Sequence, residues 1–479
     1  MSVSKDTHEA KSPIGSLPLD ILSHLFLSFA SEFPDAFFES KSNPSILLSH
    51  VCAEWRRVAL STPLLWSNIV IRTYRDDIAP WLGSSMSISA SLSKQARRLE
   101  FLKTWLKRGV ECDLRIRLDC FDWRDEFSEA EREFREVLRG SSVRWKEVVV
   151  WGRWWSQENE WWAAMLDVNP KNTPRLETLV VSFQSLDSVY YWQLDSFPET
   201  GRSKQHHRFR LLTAPTLRRV KIRQIMWPTK KILPTWSQLT HLELGASVGG
   251  ELLGRKFQLK SQLEWDYTRG VPDQVDECPT LRTVDVLKAL SACPMLVEGV
   301  FALREHLTQS GWDDDTFLGV PISLGKLKRL VMTGLQPRSS VMIVGKLDLP
   351  ALEDLTLGGI VDTLLGSTPG VDGDGIVRPW ITKYAWGLRR MTLGSMSLGR
   401  ASLVWVLREL KSVVYLGLLR WGSVFDDEII EMLTPQARNP HCFCPVLEEI
   451  VVRPTYEPEG ALIMHGSVAA VLDFILGRR

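Results

Sequence analysis

The chain lacks any imbalance of charge, with 58 lysines and arginines against 57 aspartates and glutamates in 479 residues. A body that grips nucleic acid needs a basic excess to neutralise phosphates, so this balance disfavours one. Cysteine is scarce. Seven, an odd number without regular spacing, make no disulfide framework and point to a reducing compartment, cytoplasmic or nuclear. Long apolar runs are missing too, since the best candidate, Val284 to Leu303, is broken by Asp285, Lys288 and Glu298. No membrane span is expected. The opening MSVSKDTHEAKSPIG has acids and no apolar core, so it reads as neither a signal nor a transit peptide. Ser2 excludes the myristoylation pattern, and residues 1–11 are expected to be disordered.

Catalytic signatures are equally thin. No G-x-x-x-x-G-K-[ST] occurs to cradle phosphates, and no H-E-x-x-H occurs to hold zinc. Gly245-Ala246-Ser247-Val248-Gly249 matches G-x-S-x-G, but no HGGG-type oxyanion motif accompanies it, and it reads as a Gly-rich loop. His441-Cys442-Phe443-Cys444 gathers three ligand types without a second pair at metal-binding spacing. Asp372 and Asp374 lack the third ligand and closing glutamate of a calcium loop. Asp313-Asp314-Asp315 and His206-His207 read as solvated loop runs. The expectation is a protein that is not an enzyme, with no catalytic residue, no metal and no cofactor.

What is present is globular composition, 44% hydrophobic and 24% charged, in a chain long enough for two or three units. Near the start, Ser16-Leu17-Pro18-Leu19-Asp20 is a helix-start arrangement, followed by Ile21, Leu22, Leu25, Phe26 and Phe29 at helical spacing. A looser stretch from Ser31 to Asn43 leads into a second helical pattern from Ser45 to about Leu60. Leu47, Leu48, Val51, Cys52, Trp55, Val58 and Ala59 line one of its sides. Ser61-Thr62-Pro63 ends it, and Leu64, Leu65, Trp66 and Ile69 suggest a short third helix. So small a unit has more apolar residues than its own core can hide. The excess asks for a partner.

The runs SLPLDILSHLFLSF and ILLSHVCAEWRRVALSTPLLWSNIVI resemble the F-box, in the form common in fungal F-box proteins. The matching elements are Leu17-Pro18, Ile21-Leu22, Phe26, the helix Leu48-Ser49-x-Val51-Cys52-x-x-Trp55-Arg56, and Pro63-x-x-Trp66. That resemblance covers about 60 residues and implies docking onto the Skp-type adaptor of a cullin–RING ubiquitin ligase. By the family pattern Leu17, Pro18, Ile21, Leu22, Val51 and Cys52 meet the adaptor, while Trp55 and Trp66 hold the helices together. The stretch between the first two helices is longer than a compact F-box requires.

From about residue 111 an L-x-x-L-x-L pattern recurs, with other apolar residues substituting. It stands at Trp145-Val148-Val150, Leu176-Leu179-Val181, Leu217-Val220-Ile222, Leu239-Leu242-Leu244 and Leu281-Val284-Val286. It continues at Leu327-Leu330-Met332, Leu352-Leu355-Leu357, Leu388-Met391-Leu393, Val413-Leu416-Leu418 and Leu447-Ile450-Val452. Pro174, Pro215, Pro279, Pro350 and Pro445 each stand two residues before a first leucine. Units that cannot bury an apolar side alone stack and share one core, and the pattern resembles a leucine-rich repeat. Its intervals, from 22 to 46 residues, are irregular for that repeat. Helices are expected at Arg98–Lys107, Ala401–Leu410, Asp426–Leu433 and Ser467–Leu476. Polar or Gly-rich loops are expected at 200–210, 245–275, 309–323 and 360–380.

The fold class expected is therefore α/β, a small three-helix F-box followed by an irregular leucine-rich-repeat-like solenoid. The boundaries are 12–72 for the F-box, 73–110 for a helical linker and 111–479 for the repeat domain. Residues alternating with the leucines should face outward. Among them Arg219, Lys221 and Arg223 form the best candidate contact patch, with Trp151, Arg329 and Arg390 as further candidates for binding a protein substrate. Asp285 is expected on the same face. The function implied is a substrate-recognition subunit of an SCF-type (Skp–cullin–F-box) ubiquitin ligase, with an F-box scaffold acting outside degradation as the alternative. No nucleic-acid or membrane partner is expected.

Overall fold

A computed structural model describes residues 17–73, 88–120, 129–154, 165–185, 210–223, 236–245, 281–303, 321–359, 372–394, 396, 398–421, 427–433 and 443–454. It is an α/β structure in which every described strand pairing is parallel. The chain divides into two compact units, Met1–Leu186 with Ser203–Leu217, and Asp187–Arg202 with Arg218–Arg479. Among the described residues no helix is long and apolar enough to cross a membrane.

The first unit opens with helices α1 (Leu19–Ser31), α2 (Pro44–Val51) and α3 (Ala53–Leu60) and a 3-10 turn at Pro63–Trp66. Strands β1 (Asn68–Thr73), β2 (Leu114–Cys120), β3 (Trp145–Trp154) and β4 (Thr178–Ser185) follow, each paired with the next. Parallel neighbours need a crossover, and α4 (Ile88–Arg108) and α5 (Glu129–Gly140) supply two of them. Ile116, Leu118, Val148, Val150 and Leu179 alternate inward along the strands and are buried, as are Leu102, Trp105 and Leu138 of the two helices. The boundaries expected at residues 72 and 110 are not where the structure divides. The region expected as a linker holds the crossover helix between β1 and β2, in the same unit as α1–α3.

In the second unit β5 (Arg219–Arg223), β6 (His241–Leu244), β7 (Glu298–Ala302), β9 (Arg329–Leu335), β11 (Asp354–Gly359), β12 (Arg390–Gly394), β13 (Tyr415–Trp421) and β14 (Glu449–Pro454) pair in that order. Two short strands, β8 (Ile322–Ser323) and β10 (Leu347–Asp348), pair with each other. Helices Thr283–Ser291, Pro337–Lys346, Gly373–Tyr384, Arg400–Glu409 and Asp427–Leu433 fill connections. The first leucine of the pattern closes a turn whose backbone bond recurs. Leu296 bonds back to Cys293, Leu327 to Leu324, Leu352 to Leu349, Leu388 to Ala385 and Leu447 to Cys444, at 2.9–3.4 Å. Leu176 and Leu217 of the first unit do the same to Thr173 and Ala214. Pro174, Pro215, Pro294, Pro350 and Pro445 stand second in these turns, where a preset φ suits them.

Three expectations fail here. Leu281-Val284-Val286 is not a strand, because residues 283–291 form a helix that buries Val286, Leu287 and Leu290, and Asp285 is buried against Arg282 at 3.0 Å. The strand in that stretch is β7, entered by Leu296. Gly299 occupies its middle apolar position because a Cβ there would meet the Phe301 ring at 2.8 Å. The loop expected over 360–380 contains the start of a helix. Gly373, Gly375 and Pro379 read as breakers, yet Asp372 caps the helix by accepting from the Asp374 and Gly375 amides at 3.1 and 3.2 Å. The single helix expected from Ser45 to Leu60 is two, broken at Cys52 with φ −155° and ψ 173°. Residues 467–476 lie outside the described residues, as do Pro279, Ser247, His206, His207, Asp313, Asp314, Asp315, His441 and Cys442.

Candidate functional site

Two surfaces merit attention, one apolar and one charged. The first is built by α1–α3. Pro18 precedes α1 in an extended conformation and its carbonyl accepts the Leu22 amide at 3.0 Å, with Asp20 in the first turn. Leu22 and Phe26 then fall one helical turn apart on the inner side, and both are buried. Phe26 packs its ring 5.0 Å from Trp55. Leu48, Val58, Ala59, Leu65 and Trp66 complete the small core, and the buried Trp66 indole donates to the Ala59 carbonyl at 2.8 Å. At the break, the Cys52 thiol accepts the Trp55 amide at 3.4 Å, and Arg56 reaches back to the Ser49 carbonyl at 2.8 Å.

That core leaves much of the module's apolar surface outside. Ile21, Leu25 and Phe29 form a line on α1 at four-residue spacing, and Leu47 and Val51 another on α2, all exposed. With Leu19, Phe33, Leu60 and Leu64 they make nine of the fifteen large apolar side chains found exposed among the described residues. So strong a concentration in one small module is what marks a surface made for contact.

Of the residues expected to meet an adaptor, Ile21 is 44% exposed and Val51 59% exposed. Pro18 and Cys52 are also exposed, and Leu17 is half-buried. Leu22 is the correction. At 2% exposure it belongs to the module's own core, one position around α1 from the outer line. Leu25, Phe29, Leu47 and Leu64 extend the exposed apolar surface beyond the residues that the resemblance names. The signal was there, since α1 is apolar over more of its circumference than a one-sided helix needs.

The second surface is the outward side of the second unit's strands. In register, Arg219, His241, Glu298, Arg329, Asp354, Arg390, Tyr415 and Glu449 stand side by side. Their charges answer one another across the ladder. Arg329 meets Glu298 at 2.9 Å and Asp354 at 3.4 Å, Arg390 meets Asp354 at 3.9 Å, and Arg390 lies 4.1 Å over the Tyr415 ring. The next row begins with Lys221 beside the buried Glu243, which holds Lys221 at 3.3 Å and, two residues further along the strand, Arg223 at 2.5 Å. Arg219 is exposed. The row then narrows to Val331, Thr356, Thr392 and Gly417, and a Cβ on Gly417 would sit 3.0 Å from the Thr392 hydroxyl.

Burial governs the titrations on this face. It lowers the His241 pKa, opposed by Glu298 and reinforced by Arg219 and Lys221. It raises that of Asp354, offset by Arg329 and Arg390. Trp151 is on β3 of the first unit, half-buried with the Arg117 guanidinium 5.2 Å over its ring. The candidate substrate residues are thus spread over two units, and the structure brings into one neighbourhood only Arg219, Lys221 and Arg223, and separately Arg329 and Arg390 through Asp354.

Nothing described assembles a reactive centre. Burial pushes the Cys293 thiol up to about 12, and the Cys444 thiol is buried against the Leu407 carbonyl at 3.3 Å. Among the described residues no three potential metal ligands cluster. No known protein-family model matches the chain, and no curated protein matches it either.

Proposed function

We propose that this chain is the substrate-recognition subunit of an SCF-type ubiquitin ligase, docking on a Skp-type adaptor through residues 17–66 and presenting a protein substrate on its strand-built region. The observation that carries the reading is the outward apolar face of α1–α3, set on a module whose spaced Leu-Pro, Trp-Arg and Pro-x-x-Trp elements resemble an F-box. Full burial of one large apolar side chain contributes about 1.5–3 kcal/mol. Several half-exposed ones together leave a useful surplus after the costs of association. No ion pair is needed.

In this reading the docking contacts are Pro18, Ile21, Leu25, Leu47, Val51 and Cys52, with Leu22 supporting them from beneath. The recurring parallel strands resemble leucine-rich repeats, and they favour the receptor role because their outward face offers fixed, alternating charges. The chain's contribution to ubiquitin transfer is positioning, since holding two reactants together is by itself worth orders of magnitude in rate.

The test is titration of the full chain with a purified Skp-type adaptor. A stable complex is expected, and the double variant Ile21→Asp, Val51→Asp should weaken it by at least about 100-fold, because two charges would have to enter an apolar contact. The circular dichroism spectrum should be unchanged, since both positions face solvent. Failure of the unaltered chain to bind, or full binding by the double variant, removes the assignment. An adaptor complex that recruits no cullin and RING subunits would instead identify a scaffold acting outside degradation.

A further inference from the structure

Residues 32–43, between α1 and α2, are more chain than a short helix–helix connection needs. They are also where the first unit ties its helical module down. The Phe38 amide donates to the Val70 carbonyl at 3.1 Å, so the stretch bonds to β1, the first strand of that unit's sheet. The Phe38 ring is fully buried among Phe101, Trp105 and Phe134, with centroids 5.6, 6.0 and 6.4 Å away. Asn68 donates to the Pro34 carbonyl at 2.9 Å, and the Arg72 guanidinium lies 3.7 Å over the Phe37 ring. Asp35 pairs with Arg117 of β2, and Glu39 with Arg98 of α4.

The far end of the stretch holds α2. The buried Asn43 uses both ends of its amide. Its nitrogen donates to the Ala36 and Phe37 carbonyls at 3.3 and 3.2 Å, and its oxygen accepts the Ser45 amide at 2.9 Å, capping the helix. The Ser45 hydroxyl then donates to the Leu65 carbonyl at 2.7 Å. A continuous set of bonds therefore runs from strand β1 to the first turn of the helix that presents Leu47 and Val51.

We infer that residues 32–43 are a clasp that positions α2 from the sheet, so that the affinity of the apolar face depends on residues outside its own lines. The consequence for affinity rests on the adaptor reading above. A face held in its bound geometry loses less freedom on association, and loosening the clasp reinstates that cost. Asn43 is a positioning residue here. Serine at the same position still caps a helix but has no amide to donate, which separates the clasp from the cap.

The experiment compares Asn43→Ser, and the exposed pair Asp35→Ala with Glu39→Ala, in the full chain. Hydrogen exchange followed by mass spectrometry reads α2, and titration with a Skp-type adaptor reads affinity. In both variants α2 amides should exchange about tenfold faster while β2 and β3 keep their protection. Adaptor binding should weaken by about fivefold. Exchange and affinity within twofold of the unaltered chain would overturn the clasp, and faster exchange with unchanged affinity would overturn its role in binding. Should the unaltered chain bind no adaptor, the ligase assignment falls, and exchange in α2 alone decides whether the stretch holds the helix.

Discussion

In the helical module Ile21, Leu25, Leu47 and Val51 end in solvent, whereas on the strand face of the second unit Arg329, Asp354 and Arg390 end on one another. Both regions have more side chain of one kind than a core needs. The module leaves its apolar surplus unmet, and water penalises that continuously. The strand face meets its charged surplus internally, because an in-register parallel sheet sets neighbouring side chains one strand spacing apart and alternating signs then attract. Unmet apolar surface calls for a partner more strongly than a satisfied charge ladder does. The helical module is therefore the better-defined contact surface of the two, and anything that bound the ladder would have to displace existing pairs.

The contrast within α1 gives the largest expected effect. Leu22→Ala should cost about 2–5 kcal/mol of the first unit's stability through lost transfer energy and a residual cavity. Leu25→Ala, one turn on but facing out, should change stability by less than about 0.5 kcal/mol. Urea unfolding of the full chain, followed by exchange in α1, distinguishes them. Equal losses would show that the outer line is part of a core, and the comparison would collapse.

A smaller effect is expected on the ladder. Asp354→Ala removes the acid shared by Arg329 and Arg390, and should cost about 1 kcal/mol, with much of the loss masked in high salt. A cost of several kcal/mol at any salt would mean that the ladder acts as core. Smallest is the pH effect at His241, whose pKa burial lowers below the ordinary 6.5. Below about pH 6.5 the unfolded chain takes up a proton that the folded unit resists, so stability is present above that value and falls as the pH drops towards the folded one. The denaturation midpoint of the second unit should therefore slope more steeply between pH 7 and 5 than in the variant His241→Gln. Identical slopes would remove His241 from the account.

Much of this was legible in the pattern of residues. The period of two at Leu355-x-Leu357 or Met391-x-Leu393 marks strands, and the structure has strands there with those side chains buried. Helices read at 401–410 and 426–433 lie within a residue of those observed. The failures share a cause. Leu281-Val284-Val286 satisfies the strand pattern and a helix face equally, and only the packing of Val286 and Leu290 chooses the helix. Gly299 hid β7 because the neighbouring Phe301 ring fills the space where its side chain would have been. Ile376, Trp380 and Tyr384 have helical spacing, but glycines and Pro379 masked it, and the Asp372 cap that sets the helix start is a matter of geometry.

Composition and periodicity by themselves determined that this chain alternates short strands with helices, and that its first helices are too apolar for the core they can build; the parallel pairing of those strands is a finding of the structure. The first two are properties of side-chain type and spacing, which a one-dimensional pattern records wherever one period stands out. Only the tertiary structure decided that Leu22 turns inward while Ile21 and Val51 turn out, that Glu243 holds Lys221 and Arg223, and that Asn43 and Phe38 bind the helical module to β1. Each of these depends on which distant residues come within hydrogen-bond or van der Waals distance, and that is fixed by packing, not by local sequence.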